Sequence, residues 1–414
     1  MPVYLIGTLD TKGQEVAFLR DALRSFGVDV AVIDASCLRM PTITADVPRE
    51  AVFEAAGTTL DAVRAANDRG HAVTTAARGM AALVARLHAD GSVAGVIGIG
   101  GSAGTTIATA GMRVLPIGIP KVMASTLASG QVRPYVGDKD ILMLNTIVDV
   151  SGINRISRIV LGEAARAMAG LVTLRKTTAA ASDKLVVAAT MFGVTTPCVE
   201  RARQVLEEAG YEVLVFHATG TGGQAMESLI ADGVIAGVLD ITTTELADEL
   251  VGGVLSAGPD RLTAAGRRGI PQVISVGALD MVNFGPPETI PPKFADRKFY
   301  RHNPTVTLMR TTTEENKKLG EEIARKAAAA TGPTVILFPL QGVSAIDHKG
   351  QPFDDRHARE ALLQALRQNH GAVELIEIDH HINDAAFAEA AARKLTSLLA
   401  GRHESVDSQR AQNC

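Results

Sequence analysis

VYLIGTLDTKGQEVAFLRDALRSFGVDVAVID, residues 3–34, is the stretch from which the fold is read. An apolar run, Val3 to Ile6, meets the glycine turn GTLDTKG. QEVAFLRDALRSFG then spaces its apolar residues as a helix does, and VDVAVID is a second apolar run ending on Asp34. Strand, turn, helix and strand in that order make one βαβ unit. Near-continuous apolar strands belong to parallel sheets covered on both faces.

The same order returns in KLVVAATMFGVTTPCVERARQVLEEAGYEVLVFH, residues 184–217. Aligning Gly27 with Gly210 also pairs Val28, Val30 and Val32 with Tyr211, Val213 and Val215. Allowing gaps, AGVIGIGGS (94–102) lies against AGVLDITTT (236–244), and GIPKV (118–122) against GIPQV (269–273). The expected fold class is α/β, with two Rossmann-like domains of mainly parallel sheets related by internal duplication. Residues 1–174 form the first domain, 175–183 a small polar linker, 184–401 the second domain and 402–414 a polar tail. The first half carries an insertion of helical patterns from roughly Met40 to Asp90. The second half adds TVILFPL, RHAREALLQALRQNHG, AVELIEID and AAFAEAAARKLTSLLAG past Thr331.

At 414 residues the chain is long enough for two cores, and 46% hydrophobic with 21% charged residues is ordinary globular composition. The 41 basic and 45 acidic residues are interspersed, for a net charge of −4, with no basic stripe to follow a nucleic-acid backbone. Cys37, Cys198 and Cys414 are far apart and odd in number, which argues against a disulfide framework or thiolate zinc site and for a reducing, cytoplasmic setting. The first apolar run is too short for a secretion signal or a membrane span. Neither GxSxG nor HExxH occurs.

In open parallel sheets, ligands bind beyond the carboxyl ends of the strands, where helix N-termini attract anions. GIGGSAGTT (98–106) is the strongest such turn. Gly98, Gly100, Gly101 and Gly104 would admit a phosphate, and Ser102, Thr105 and Thr106 offer hydroxyls; the competing reading is a tight packing turn. It is neither a Walker loop nor a strict GxGxxG. Beyond the first strand come Gly7, Thr8, Asp10 and Lys12, where Lys12 would meet phosphate and Asp10 would hold Mg²⁺ through water, against the alternative of a solvated turn. Asp138 and Asp140 in VGDKD are further Mg²⁺ candidates, and Asn154 and Arg155 either cap a helix or face the cleft.

In the second half, HATGTGG offers Thr219, Gly220, Gly222 and Gly223 as a second anion cradle. His217, Asp280, His302 and Asp347 sit in polar loops after strands and would make an acid/base or metal constellation where those loops converge; hydrogen-bonded loop residues are the alternative. The adjacent His380 and His381 point in different directions and are not taken as metal ligands.

GTLDTKG, GIGGS, GDKDI with DVSGINRISR, FHATGTGG, TTTELADELVGG, GALDMVNFG, NPTVTLMRTT and PLQGVSAID together resemble the tobamovirus-resistance-protein-like ATP-binding family across nearly all of residues 1 to 400. The resemblance implies two Rossmann-like domains, a homodimer, and an ATP and Mg²⁺ site in the N-terminal domain. Plant members of that family carry an added barrel and block a viral replication protein. That role concerns a partner surface on which the motifs are silent, so it is not carried over. Three function classes follow: an ATP-binding protein, an enzyme acting on a small carboxylated or phosphorylated metabolite between the domains, and an interaction module with structural ATP.

Overall fold

The computed structural model describes residues 1–174 and 184–412, with side chains as far as Gly401, so the linker expected at 175–183 lies outside the described residues. The chain divides into two compact units, Met1–Ala181 and Ser182–Cys414.

In the first unit β1 (Val3–Gly7) runs through α1 (Leu9–Ser25) to β2 (Val30–Asp34). The insertion supplies α2 (Arg49–Ala55), α3 (Leu60–Ala65) and α4 (Arg69–Ala89). β3 (Gly95–Gly100), α5 (Ser102–Arg113), β4 (Lys121–Ser125), α6 (Arg133–Val136), β5 (Leu142–Asn145) and α7 (Arg155–Thr173) follow. Every pairing is parallel, in the order β2-β1-β3-β4-β5.

Alternate residues of these strands serve two cores. Tyr4, Ile6, Val96 and Met123 pack under α2, α4 and α5, while Val3, Leu5, Ile97 and Val122 pack under α1 and α7. Burial on both faces is why the strands read as unbroken apolar runs. Asn154 proves to be a cap: its Oδ1 accepts the N–H groups of Ile156 and Ser157, both at 2.9 Å, and Ser157 Oγ accepts the Asn154 N–H in return.

The second unit opens with β6 (Val186–Met191), α8 (Thr196–Glu208), β7 (Glu212–His217), α9 (Thr221–Ala231), β8 (Gly237–Thr242), α10 (Thr244–Val251), α11 (Ala264–Arg268) and β9 (Gln272–Gly277). Then come β10 (Met281–Phe284), β11 (Phe299–Asn303), β12 (Val306–Arg310), α12 (Thr313–Ala328), β13 (Thr334–Pro339), α13 (Arg356–Asn369), β14 (Glu374–Ile378) and α14 (Ala385–Gln412). The main sheet is parallel, in the order β7-β6-β8-β9-β13-β14. Its first five strands are arranged as in the first unit, which is the structural counterpart of the sequence repeat.

GALDMVNFG and RHNPTVTLMRTT read as polar loops, yet they form a three-stranded antiparallel sheet, β10-β12-β11. β10 and β12 are buried from both sides, Val282 and Met309 in one cluster and Met281 and Leu308 in another, so no polar alternation betrays them, while β11 is the exposed edge. The backbone of α14 continues through residues 402–412, where composition suggests a separate tail; residues 413–414 lie outside the described residues. No helix among the described residues is long and apolar enough to cross a membrane.

Candidate functional site

Strand order places a topological switch point between β1 and β3 of the first unit, because β2 lies on one side of β1 and β3 on the other. The strand ends and first helical turns that follow them, residues 7–12 and 100–104, are therefore neighbours at the carboxyl edge, with Asp10 and Lys12 in the first turn of α1 where a loop was expected.

Four of the glycines here are required for packing. A Cβ on Gly7 would come 2.5 Å from Val16 Cγ2, and one on Gly98 would come 2.5 Å from Ala108 Cβ. On Gly100 it would lie 2.9 Å from Gly104 Cα, and on Gly104 3.0 Å from Ile99 O. Gly101 differs, since a Cβ there would meet only Thr126 Oγ1, at 3.6 Å. It begins α5, no side chain caps that helix, and Ser102 beside it is exposed. Thr105, by contrast, is fully buried and its hydroxyl is shared with Ser125 Oγ at 2.7 Å, so it ties α5 to β4 and does not face a ligand. Gly100→Ala is expected to cost about 1–3 kcal/mol by overpacking α5 on β3, read as a fall in the urea midpoint of the first unit.

The turn after β1 is engaged internally. Leu9 N–H, at the start of α1, donates to Asp34 Oδ1 at 3.2 Å, and Ser36 donates to the same carboxylate from its N–H (2.9 Å) and hydroxyl (3.0 Å). Burial pushes the Asp34 carboxyl up, with the Ser36 bonds opposing. The Lys12 ammonium donates to the Val150 carbonyl, and buried Glu15 accepts Gly152 N–H at 2.5 Å, so α1 grips the 150–152 loop. Lys12 thus points at a carbonyl in place of the phosphate foreseen for it. Thr8 shares a hydroxyl contact with Thr11 at 3.0 Å.

The Mg²⁺ ligands do not assemble. Asp10 accepts Arg39 N–H at 3.2 Å, whereas Asp140 pairs with Lys121 at 2.6 Å and accepts Gly118 N–H at 2.8 Å. Asp138 belongs to the turn before β5, two residues from Asp140. Among the described residues no group of three or more His, Cys, Asp or Glu side chains could hold a metal ion. Asp10, Asp138 and Asp140 therefore do not form a ready-made three-ligand cluster.

In the second unit the GTGG cradle is filled by the chain itself. Gly220 and Gly223 donate their N–H groups, at 2.7 and 3.1 Å, to Oε1 of Glu245, and a Cβ on Gly223 would overlap that carboxylate. One on Gly222 would overlap His217 O, and Gly220 adopts φ +82°. Thr219 Oγ1 turns back to His217 O at 3.3 Å. The turn read as a cradle for a bound anion is held instead by the chain's own carboxylate, placed at a helix N-terminus.

Glu245 Oε2 in turn accepts Arg261 Nε at 2.6 Å. The same guanidinium donates to both oxygens of Asp240, at 2.5 and 2.7 Å, to Glu227 at 3.4 Å and to Thr242 O at 3.3 Å. Arg261, Asp240 and Glu245 are buried at the carboxyl end of β8, which is the switch point of this sheet. Here the chain's own Glu245 occupies the helix N-terminus, whereas no side chain caps α5 of the first unit.

Of the four acid/base candidates, the structure joins two. Asp280 and Asp347 are both fully buried. Ser344 Oγ donates to Asp280 Oδ2 at 2.8 Å, while Asp280 Oδ1 has no hydrogen-bond partner. Asp347 Oδ1 accepts Arg359 at 2.7 Å and Arg310 at 3.3 Å, and its Oδ2 accepts Val343 N–H at 3.2 Å. Arg310 also donates to the Asp280 carbonyl at 3.2 Å, bridging the pair. Burial, reinforced by Asp347, raises the Asp280 carboxyl; burial raises Asp347 too, against the pull of Arg310 and Arg359. Ala278, two residues before Asp280, holds φ +57°, an uncommon conformation for a residue with a Cβ.

His217 and His302 stand apart from this cluster: His217 lies against Phe192, ring centroids 5.5 Å apart, and His302 is exposed on β11. The histidine that does approach is His381. Its Nδ1 accepts Asn383 N–H at 3.1 Å, which assigns the proton to Nε2, donated to Ser344 O at 2.9 Å. Burial lowers its pKa, with the Ser344 bond opposing. His381 was weighed with His380 and set aside, whereas Arg310, Arg359 and Ser344 lie within quoted stretches but carried no role.

Residues 1–177 match the N-terminal domain, and residues 184–399 the C-terminal domain, of an uncharacterised protein family, UPF0261. A UPF0261 protein of Clostridium tetani is 48% identical over 96% of this chain and 98% of its own length. One from Mesorhizobium japonicum is 46% identical over 94% and 97%. The ToMV resistance protein Tm-1 of Solanum lycopersicum is 44% identical over 94% of this chain, a match that spans 54% of the tomato protein.

Proposed function

The chain belongs to the uncharacterised protein family UPF0261 along both of its units, and from that premise we propose that the first unit binds an ATP-type nucleotide. Its phosphates lie at the N-terminus of α5, beside Gly101. The observation that carries this reading is the uncapped start of α5 at a switch point where Gly101 leaves room for an approaching oxygen. Unpaired helical N–H groups and the helix dipole favour phosphate there. The resemblance read in GTLDTKG and GIGGS supports the same ligand.

Calorimetry with ATP tests it. Wild-type protein is expected to bind below millimolar nucleotide, and Gly101→Asp to weaken binding by at least about tenfold, because its carboxylate competes for the same amides and repels phosphate. No binding at millimolar ATP, or unchanged affinity in Gly101→Asp, would overturn the assignment.

A further inference from the structure

The second unit carries a cleft of ≈ 800 Å³ beyond the carboxyl end of β13, lined by Leu340 and Gln341 after that strand, Lys349, Asp379 after β14, and Arg356 and Arg359 of α13. That volume suits a metabolite. Its polar walls are mostly self-satisfied: Asp379 accepts Gln341 Nε2 at 2.6 Å, Arg356 pairs with Glu360 at 2.9 Å, and Asp354 accepts Arg359 at 3.0 Å. Lys349 is exposed and makes no hydrogen bond or ion pair among the described residues.

Arg359 is the link inward. It lines the cleft, yet its Nη1 holds Asp347, which has no exposure at all. Behind Asp347 sit Arg310 and Asp280 with its unpartnered Oδ1. We propose that this cleft binds a small carboxylate- or phosphate-bearing metabolite through Lys349 and Arg359, and that binding drives a proton onto the Asp280–Asp347 pair.

The coupling follows from charge balance. Two buried carboxylates face two guanidinium groups, Arg310 and Arg359; burial lowers the pKa of His381 nearby, which Asp384 and His348 also face, and its Nδ1 accepts the Asn383 N–H. An incoming anion that draws Arg359 toward the cleft leaves Asp347 with Arg310 alone, at 3.3 Å. A buried carboxylate deprived of its cation is neutralised by protonation more readily than it stays charged. The proton comes from solvent and rests on Asp280, whose Oδ1 has no partner, leaving Asp347 paired with Arg310.

The test is calorimetry on the full chain carrying Gly101→Asp, which silences the α5 phosphate seat, with inorganic phosphate and with succinate as probes in two buffers of different ionisation enthalpy. At least one probe is expected to bind at millimolar concentration with net proton uptake; tighter phosphate identifies a phosphate-bearing ligand, and tighter succinate a carboxylate-bearing one. Lys349→Ala, at an exposed position, is expected to weaken binding about tenfold. Asp280→Asn is expected to bind but to lose most of the uptake. Absence of binding by both probes, equal binding by Lys349→Ala, or unchanged proton uptake in Asp280→Asn each overturns the proposal.

Discussion

Arg261→Met is expected to destabilise the second unit by about 3–5 kcal/mol, seen as a large fall in its urea midpoint. The guanidinium is fully buried and holds two carboxylates, Asp240 and Glu245, that are themselves inaccessible to water. A methionine fills the volume but strands both charges, and the uncompensated charge is the costly term. Glu245 would keep the amides of Gly220 and Gly223, and Asp240 would keep the Thr190 hydroxyl at 2.7 Å, neither of which replaces a cation. Adding Glu245→Gln to Arg261→Met should recover part of the loss, so that the two substitutions are strongly non-additive. A cost below about 1 kcal/mol for Arg261→Met would show that the network is hydrated and the argument wrong.

The second large effect is on pH. Burial raises Asp248 from its ordinary 3.8 to about 7, while the hydrogen bonds from Asn283 and Leu255 oppose the rise. Because the folded-state value lies above the unfolded one, the folded protein keeps this proton more tightly. Below about pH 4 both states are protonated and the group contributes no penalty. From there to about pH 7 the unfolded state alone loses the proton, and stability falls as pH rises; beyond pH 7 the full penalty, on the order of 4 kcal/mol, persists. Asp280, raised by burial and by Asp347, acts with the same sign.

Asp248→Asn should therefore flatten much of the slope between pH 5 and pH 8 in urea titrations, gaining most over wild type at the alkaline end. Its amide oxygen can keep the N–H groups of Asn283 and Leu255, both at 3.1 Å; the new NH₂ replaces the Oδ2 that accepts Asn283 Nδ2 at 2.7 Å, so Asn283 turns its amide over to present the unpartnered Oδ1 as acceptor. Equal slopes in the two proteins would refute this account.

These expectations rest on features of very different legibility. The βαβ order of residues 3–34 and its return at 184–217 are local patterns, and the parallel strands they announce are present in the same spatial order in both units. Asp280 and Asp347 were both singled out as polar residues after strands, and they do meet. His217 and His302 were singled out on the same ground and do not. Sequence separation carries no distance: Asp280 and Asp347 follow neighbouring strands β9 and β13, whereas His302 sits on the appended antiparallel sheet.

What the sequence by itself determined is the class of fold, since apolar periodicity and glycine turns are properties of a strand or helix taken alone. Only the tertiary structure decided which turn remains open. GIGGS and GTGG look alike as strings, and both begin helices that no side chain of their own turn caps. Glu245, reaching the second turn from the next helix and backed by Arg261, supplies the anion there, while no side chain among the described residues caps the helix at Gly101. Helix N-terminal amides attract whichever negative charge the fold brings within hydrogen-bonding range. That distance is set by packing between elements that the linear order leaves apart.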